Sequence, residues 1–433
     1  MFNAPTIAWA KFHADQERVA AVVKANPRVV LRCGRRWGKT TLAEAAASKW
    51  ALDGLSVGWF SPSYKLLTPS YKRIYRTVRP AVVSASRLDG IIEIEENENR
   101  RSGQIEFWTL NDEDAGRSRS YDRVIIDEAS LVPRGLKEIW DQAISPTLLD
   151  RRGTGLMAGT PKGINKENFF YRACTDKSLG WIECHAPTAA NPTLDQEGVA
   201  RLQDEYPPLV YQQEFLAEFV DWSGSAFFSL EKLLVNGAGI AYPTICDGVF
   251  AVIDTAVKDG KENDGTAVLY CAVSEHFGTP LVLLDYDIVQ IQGAMLETWL
   301  PGVFSRLSEL AVACRARRGV LGTWIEDASA GSILLQQAQR RGWNTHALPS
   351  ELTAAGKDGR AINVSGYVHQ GKVKFSHHAY DKTLNFKGSV ENHLLMQITG
   401  FHIGDKDAAR RSDDLLDTFT YAIAISLGDW KGH

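Results

Sequence analysis

Short apolar runs alternate with amphipathic stretches along the first half of the chain. Val29 to Arg32 reads as a strand, and a glycine-containing stretch then opens an Ala-rich helix over Thr41 to Leu52. Ser56 to Phe60 is the next strand, and Tyr64 to Val83 predicts a helix bearing Lys65, Lys72, Arg73, Arg76 and Arg79. Ile91 to Glu96 and Gln104 to Leu110 predict a strand pair across the polar turn Asn97 to Ser102. Val124 to Ile126 is a buried strand running into Asp127 and Glu128, and Gly155 to Gly159 another, running into Thr160-Pro161-Lys162-Gly163. Strands that alternate with helices predict a mainly parallel sheet covered on both faces.

Around Val220 to Asp247 this rhythm breaks at Gly224, Gly237, Gly239 and Pro243, and a second α/β pattern follows. Val249 to Ile253, Thr266 to Val273 and Leu281 to Val289 read as an antiparallel meander. A helix is expected over Gly293 to Arg318, a strand over Val320 to Ile325, and helices over Ser332 to Arg341 and Asp413 to Ser426. The expected division is a first domain over 1–220, a linker over 221–246 and a second domain over 247–433.

Composition changes this picture little. A chain of 433 residues is too long for one core, and 44% hydrophobic with 23% charged residues is ordinary for a globular protein. The net charge of −4 argues mildly against nucleic acid, unless clustered carboxylates conceal basic patches. The six cysteines form no C-x-x-C pair, which speaks against a zinc knuckle and for scattered thiols in a reducing compartment. Neither a signal peptide nor a membrane span is expected.

The first chemistry lies between the first strand and its helix, where residues 33 to 40 read Cys-Gly-Arg-Arg-Trp-Gly-Lys-Thr. Glycine-lysine-threonine at this junction is the pattern of a loop that cradles phosphates, and Gly34, Arg35, Arg36, Trp37, Gly38, Lys39, Thr40 and Thr41 are its candidate nucleotide contacts. Gly34 and Gly38 let backbone N–H groups turn toward phosphate oxygens, Lys39 reaches the β- and γ-phosphates, and Thr40 is a Mg²⁺ ligand. The departure is Cys33, where the first glycine normally sits. Asp127 is the second expected Mg²⁺ ligand and Glu128 the residue that polarises the attacking water. Gln16 is a candidate reader of adenine, and Thr160 a sensor of the γ-phosphate. Arg35 could neutralise phosphate charge, and Arg117 or Arg119 could act on a neighbouring subunit's ATP.

The second chemistry is a set of acids at strand and helix ends: Asp254 after the first strand, Glu326-Asp327 after a later one, and Asp413, Asp414 and Asp417 at the start of the last helix. Carboxylates gathered together repel, so such a set needs cations, and two Mg²⁺ or Mn²⁺ ions on oxygen ligands can drive phosphodiester hydrolysis. Acids on a first strand, a later strand and a late helix follow the order of a ribonuclease H-like fold. Gly356-Lys357-Asp358-Gly359-Arg360 reads as a basic loop, and it and Arg410-Arg411 are candidate phosphate contacts.

Arg35 to Thr41, Val124 to Ala129, Gly159-Thr160-Pro161, Asp254, Glu326-Asp327 and Asp413 to Asp417, in that order, resemble the large terminase subunit of tailed double-stranded DNA phages. The resemblance spans nearly the whole chain. It implies a P-loop ATPase that moves double-stranded DNA into a procapsid, followed by a ribonuclease H-like nuclease that cuts concatemers. It also implies a portal ring, a small DNA-recognising subunit and further copies of the chain as partners, in the host cytoplasm and docked on the procapsid. The family's P-loop arginine falls on Arg35, its catalytic acid on Glu128, its coupling motif on Thr160 and its arginine before the acidic strand on Arg117. Ser118 stands where a glycine often follows that arginine. The nuclease acids fall on Asp254, on Asp327 or Glu326, and on Asp414 or Asp417. The rival expectation is a P-loop helicase or translocase whose second half binds DNA without cutting it.

Overall fold

The computed structural model describes the chain except residues 1–6, 8, 97–101, 133–134, 223–226, 256–264, 291–295, 327–329, 404–412 and 429–433. It divides into two compact units, one of residues 1–203 and 208–221, the other of 204–207 and 222–433.

The first unit is built on an eight-stranded sheet. Its strands are β1 (Arg28–Cys33), β2 (Ser56–Ser61), β3 (Val82–Ser86), β4 (Ile91–Ile94), β5 (Gln104–Thr109), β6 (Arg123–Ile126), β7 (Thr154–Gly159) and β8 (Ile182–Ala186), in the spatial order β3-β4-β5-β2-β6-β7-β1-β8. From β5 to β8 every pairing is parallel, and β3 and β4 extend the sheet antiparallel. The parallel strands read as continuous apolar runs because both faces are covered. Val29, Leu31 and Cys33 of β1 join the core with Leu42 and Ala43 of helix α2 (Lys39–Leu52), while Val30 faces the opposite core with Phe60, Ile126 and Trp140. Helices α1 (Ala14–Ala25) and α3 (Tyr64–Val78) complete the frame around β1 and α2.

The second unit holds a six-stranded sheet of β9 (Gly248–Thr255), β10 (Thr266–Val273), β11 (Leu281–Val289), β12 (Val320–Ile325), β13 (Thr345–Ala347) and β14 (Val373–Phe375), ordered β13-β12-β9-β10-β11-β14. The expected meander is present: β10 runs antiparallel to both β9 and β11, whereas β12 lies parallel to β9. Alternate residues of β9 serve opposite faces. Val249, Ala251 and Ile253 pack with Leu300, Val303 and Leu307 of the Leu296–Ala313 helix. Asp254 has the other parity, and on that face the Asp414–Leu427 helix packs over β9 and β10.

Several expected elements are corrected. The helix expected to reach Val83 ends at Val78, because Pro80 in the helical turn Arg79–Ala81 has no N–H to continue the ladder, and Val82 then begins β3. The edge strand β8 was not expected, because only Cys184 and Ala186 are buried along it and its apolar pattern is faint. The segment expected as a linker is packed: Trp222, Phe227 and Phe228 are buried, with Phe228 edge-on to Phe419 at 5.3 Å. The basic stretch at 356–360 is no loop but the first turn of the Gly356–His369 helix. Two glycines cost a helix about 1 kcal/mol each. Burial of Ala361, Ile362, Val364 and Val368, with Arg360 turned inward onto an acid, outweighs that cost.

Candidate functional site

The strand-to-helix loop of the first unit is fastened from three sides. Gly34 lies so close to its surroundings that a Cβ would stand 2.5 Å from the Phe215 carbonyl and 2.6 Å from the Thr188 hydroxyl. Arg36 adopts φ 63° and Gly38 φ 102°, which turns the chain into α2. Thr188 donates to the Arg35 carbonyl at 2.7 Å and Asn191 to the Arg36 carbonyl at 2.8 Å. From the start of α1, the Gln16 amide donates to the Gly38 carbonyl at 3.0 Å and its oxygen accepts from the His13 N–H at 3.2 Å. His13 Nε2 donates to the Trp37 carbonyl at 3.0 Å, and the buried Trp37 indole donates to Asp15 at 2.9 Å. Gln16, expected as a reader of adenine, is thus buried with both ends of its amide engaged, and acts here as a fastener of the loop. Cys33 closes β1 as a core residue, its thiol pushed up to about 12 by burial. Among the loop residues expected to contact nucleotide, Thr40 is half-buried, and Arg35, Arg36 and Thr41 are exposed.

Lys39 is buried at the head of α2 and joins the three motifs. Its ammonium lies 3.2 Å from Glu128 Oε1 and donates to Thr160 Oγ1 at 3.0 Å, and that hydroxyl donates to the Cys33 carbonyl at 3.2 Å. Burial opposes the lysine's charge, but Glu128 and Asp127 more than offset it and hold its pKa above the ordinary value. The strand carrying the two acids, β6, is separated from β1 by β7, so the end of β7 places Thr160 between them. Glu128 takes φ 51°, a conformation that costs a non-glycine residue roughly 1–2 kcal/mol and turns its side chain toward Lys39. Asp127 beside it is buried and its Oδ1 has no hydrogen-bond partner. Burial, then the neighbouring Glu128 charge, pushes Asp127 up to about 7. An orphaned carboxylate oxygen beside a phosphate-type loop fits a hard divalent cation.

The candidate arginines are all held locally. Arg35 Nε donates to the buried Glu214 at 2.5 Å. Gln213 bonds Glu214 at 2.8 Å and accepts from the Gly163 N–H at 2.8 Å, so a chain of contacts runs from the loop after β7 to Arg35. Arg117 pairs with Asp114 at 2.5 Å on the surface, and Arg119 with Glu106 at 3.2 Å. Ser118 takes φ 64°, the left-handed conformation that a glycine adopts without strain. The departure from the family pattern at 118 is therefore accommodated in the backbone.

In the second unit four acids converge. Asp254 is the penultimate residue of β9 and Glu326 the first residue past β12, adjacent parallel strands paired Val252 to Trp324 and Ile253 to Ile325. Asp414 and Asp417 project from the first turn of the last helix. Asp254 is held well above the ordinary carboxylate range by burial, then by the charges of Asp417, Asp414 and Glu326. Asp414 is buried and accepts from the Gly265 N–H at 3.3 Å. Asp413 does not cap its helix; Gln397 does, accepting from the Leu415 and Leu416 N–H groups at 2.8 and 3.1 Å. Two cations meet the acids: Lys357 forms an ion pair with Asp413 and Arg360 with Asp417. Among the described residues, which leave out Asp327, no group of three or more His, Cys, Asp or Glu side chains stands close enough together to hold a metal ion. The all-oxygen donor set and the charge gathered around Asp254 fit Mg²⁺ or Mn²⁺. Asp327 and Arg410-Arg411 lie outside the described residues.

Sequence reasoning missed Gln397, Glu214 and Gln213, which bear no local signal and matter only through distant contacts. Lys357 and Arg360 do carry a signal, their charge, which points to a basic loop contacting phosphate rather than to partners of the acids.

No family model matches the chain. It is 26% identical over 293 residues to a large terminase subunit of Thermus virus P23-45, covering 62% of this chain and 54% of the relative. It is 30% identical over 295 residues to that of Thermus phage G20c, with the same coverage of 62% and 54%. The chain thus spans about half the length of the curated relatives it matches. Among solved structures, the large terminase of a thermophilic bacteriophage superposes with a TM-score of 0.65 at 14% identity, over 96% of this chain and 100% of that one. The same protein in complex with ADP superposes at 0.64 and 13% identity, over 96% and 99%. The fold is thus a P-loop NTPase domain with a mainly parallel sheet, followed by a ribonuclease H-like mixed α/β domain. In sequence over 62% of its length, and in fold over 96% of it, this chain resembles the large terminase subunits of bacteriophages.

Proposed function

We propose that the chain is a large terminase subunit, which drives double-stranded viral DNA into a procapsid at the expense of ATP and cuts concatemeric DNA with two metal ions. It would work in the host cytoplasm, docked on the procapsid, with a portal, a small terminase subunit and further copies of itself. The observation that carries this reading is the coexistence on one chain of the Lys39, Glu128 and Thr160 contact and the four-acid cluster. The curated relatives, named large terminase subunits, and the ADP complex of the thermophilic phage protein support it.

Phosphate oxygens entering the loop take up the Lys39 ammonium and the N–H groups of the Gly34 to Thr40 turn. Lys39 then leaves Glu128, which is freed to orient and deprotonate a water. Because Thr160 is bonded to both Lys39 and the Cys33 carbonyl, the exchange is felt at the end of β7. Thr40 and Asp127 would hold a Mg²⁺ ion, which when bound supplies charge neutralisation for the transferred phosphate. Arg35, Arg117 and Arg119 are the candidates for transition-state charge, and each must leave an acid to serve. In the second unit Asp254, Glu326, Asp414 and Asp417, with Asp327 in the sequence beside them, would hold the two divalent ions, which when bound activate water and stabilise the leaving oxygen.

Glu128→Gln is expected to lower ATP turnover by roughly 10²-fold or more while nucleotide binding persists; retained turnover in a phosphate-release assay sinks the ATPase assignment. Asp254→Ala is expected to abolish metal-dependent cleavage of supercoiled plasmid. The Lys357 and Arg360 ion pairs favour a second reading, a translocase whose second half binds without cutting. Absence of cleavage with both Mg²⁺ and Mn²⁺ would select it.

A further inference from the structure

Lys357 and Arg360 stand one turn apart on the Gly356–His369 helix, and Asp413 and Asp417 one turn apart at the head of the last helix. The two pairs meet in register, Lys357 on Asp413 and Arg360 on Asp417. Tyr421, one turn beyond Asp417, lies under the guanidinium with its ring centre 4.4 Å away. Arg360 is only 6% exposed, and its Nε has no hydrogen-bond partner. A buried guanidinium is costly unless paired, and the partner of this one is the Asp417 side chain.

From this geometry we infer that Lys357 and Arg360 are resident counter-cations of the acid cluster, holding Asp413 and Asp417 when no divalent ion is bound and setting the concentration at which divalent ions enter. This rests on the reading of the cluster as a metal site and adds the residues that tune it. Both are positioning residues acting through the acids. A divalent ion must work against two fixed positive charges, and Asp417 must give up a bidentate-capable partner to become a ligand. A mere staple between the two helices would contribute stability and leave cation affinity alone.

The test is Mn²⁺ titration of the full chain by calorimetry without nucleotide, with Asp254→Asn identifying the isotherm that belongs to this cluster. Lys357→Met and Arg360→Gln are each expected to tighten the Mn²⁺ Kd by on the order of tenfold, and Arg360→Lys to return it near the parent value. Lys357 is at the rim, so its variant keeps the question answerable if Arg360→Gln fails to fold. An unchanged or weaker Kd in folded Lys357→Met overturns the inference while leaving the metal site standing. Absence of Mn²⁺ binding in both parent and variants overturns the inference and the metal site together.

Discussion

A methyl group at residue 34 would collide with the Phe215 carbonyl and the Thr188 hydroxyl, so the loop's glycine is demanded by packing as well as by phosphate. Gly34→Ala must displace the loop, and a weakening of ATP binding by about tenfold or more is expected, read by fluorescent-nucleotide titration. Gln16 offers the complementary test. Its amide ends on Gly38 and His13, so Gln16→Ala leaves buried groups unpaired and should cost about 1–3 kcal/mol in denaturant unfolding. Undiminished stability would show that the amide is dispensable to the loop and return it to the role of base reader. Glycine, lysine and threonine at 38 to 40 were legible from their order alone. The role of Gln16 was not, because a single polar residue on a helix says nothing of which carbonyl it meets.

On the scale of elements, strand parity decides where the acids point. Asp254 and Glu326 each follow an apolar residue that faces the Leu296–Ala313 helix, so both turn to the opposite face, where the last helix begins. That much could be read from alternation, and the meander was read correctly. The basic turn at 356 was misread because two glycines within four residues mimic a loop, and only the inward partner of Arg360 makes the helix worthwhile. On the far side of the sheet, Asp285 of β11 gathers Arg306 at 2.7 Å, Lys382 at 2.7 Å and His378 at 3.3 Å. Burial would raise its pKa, but Lys382 and Arg306 outweigh burial and hold it below the ordinary aspartate value. A depressed pKa means stabilisation that is fully present above the unfolded value of about 3.9 and lost as pH falls through the folded one. Asp285→Asn should therefore cost roughly 3 kcal/mol at neutral pH, and the gap to the parent should close on acidification below about pH 4. A gap that stays constant from pH 7 to 3 would show that the lost contact is not electrostatic.

For the molecule as a whole, the two sites belong to separate compact units, each with its own sheet and core. Asp254→Ala is accordingly expected to leave ATP turnover within about twofold of the parent, since sites that share no partners act additively; a joint loss would show that the acid cluster serves the ATPase. Both sites were legible in outline because their chemistry sits at strand ends, where sequence and topology coincide. Their supports were not legible: Glu214 reaches Arg35, and Gln397 the last helix, across long stretches of chain. Gln397 has a practical consequence for genetics. Because it caps the helix from outside, the aspartates of the first turn are spared that duty. Without its amide, the unpaired N–H groups of Leu415 and Leu416 would recruit Asp413 as a substitute cap and draw it from Lys357. If the acid cluster cuts DNA as proposed, a random screen for variants that no longer cleave it would then return position 397 alongside the acids, and a geneticist without the structure would count a capping glutamine among the residues that touch the scissile phosphate.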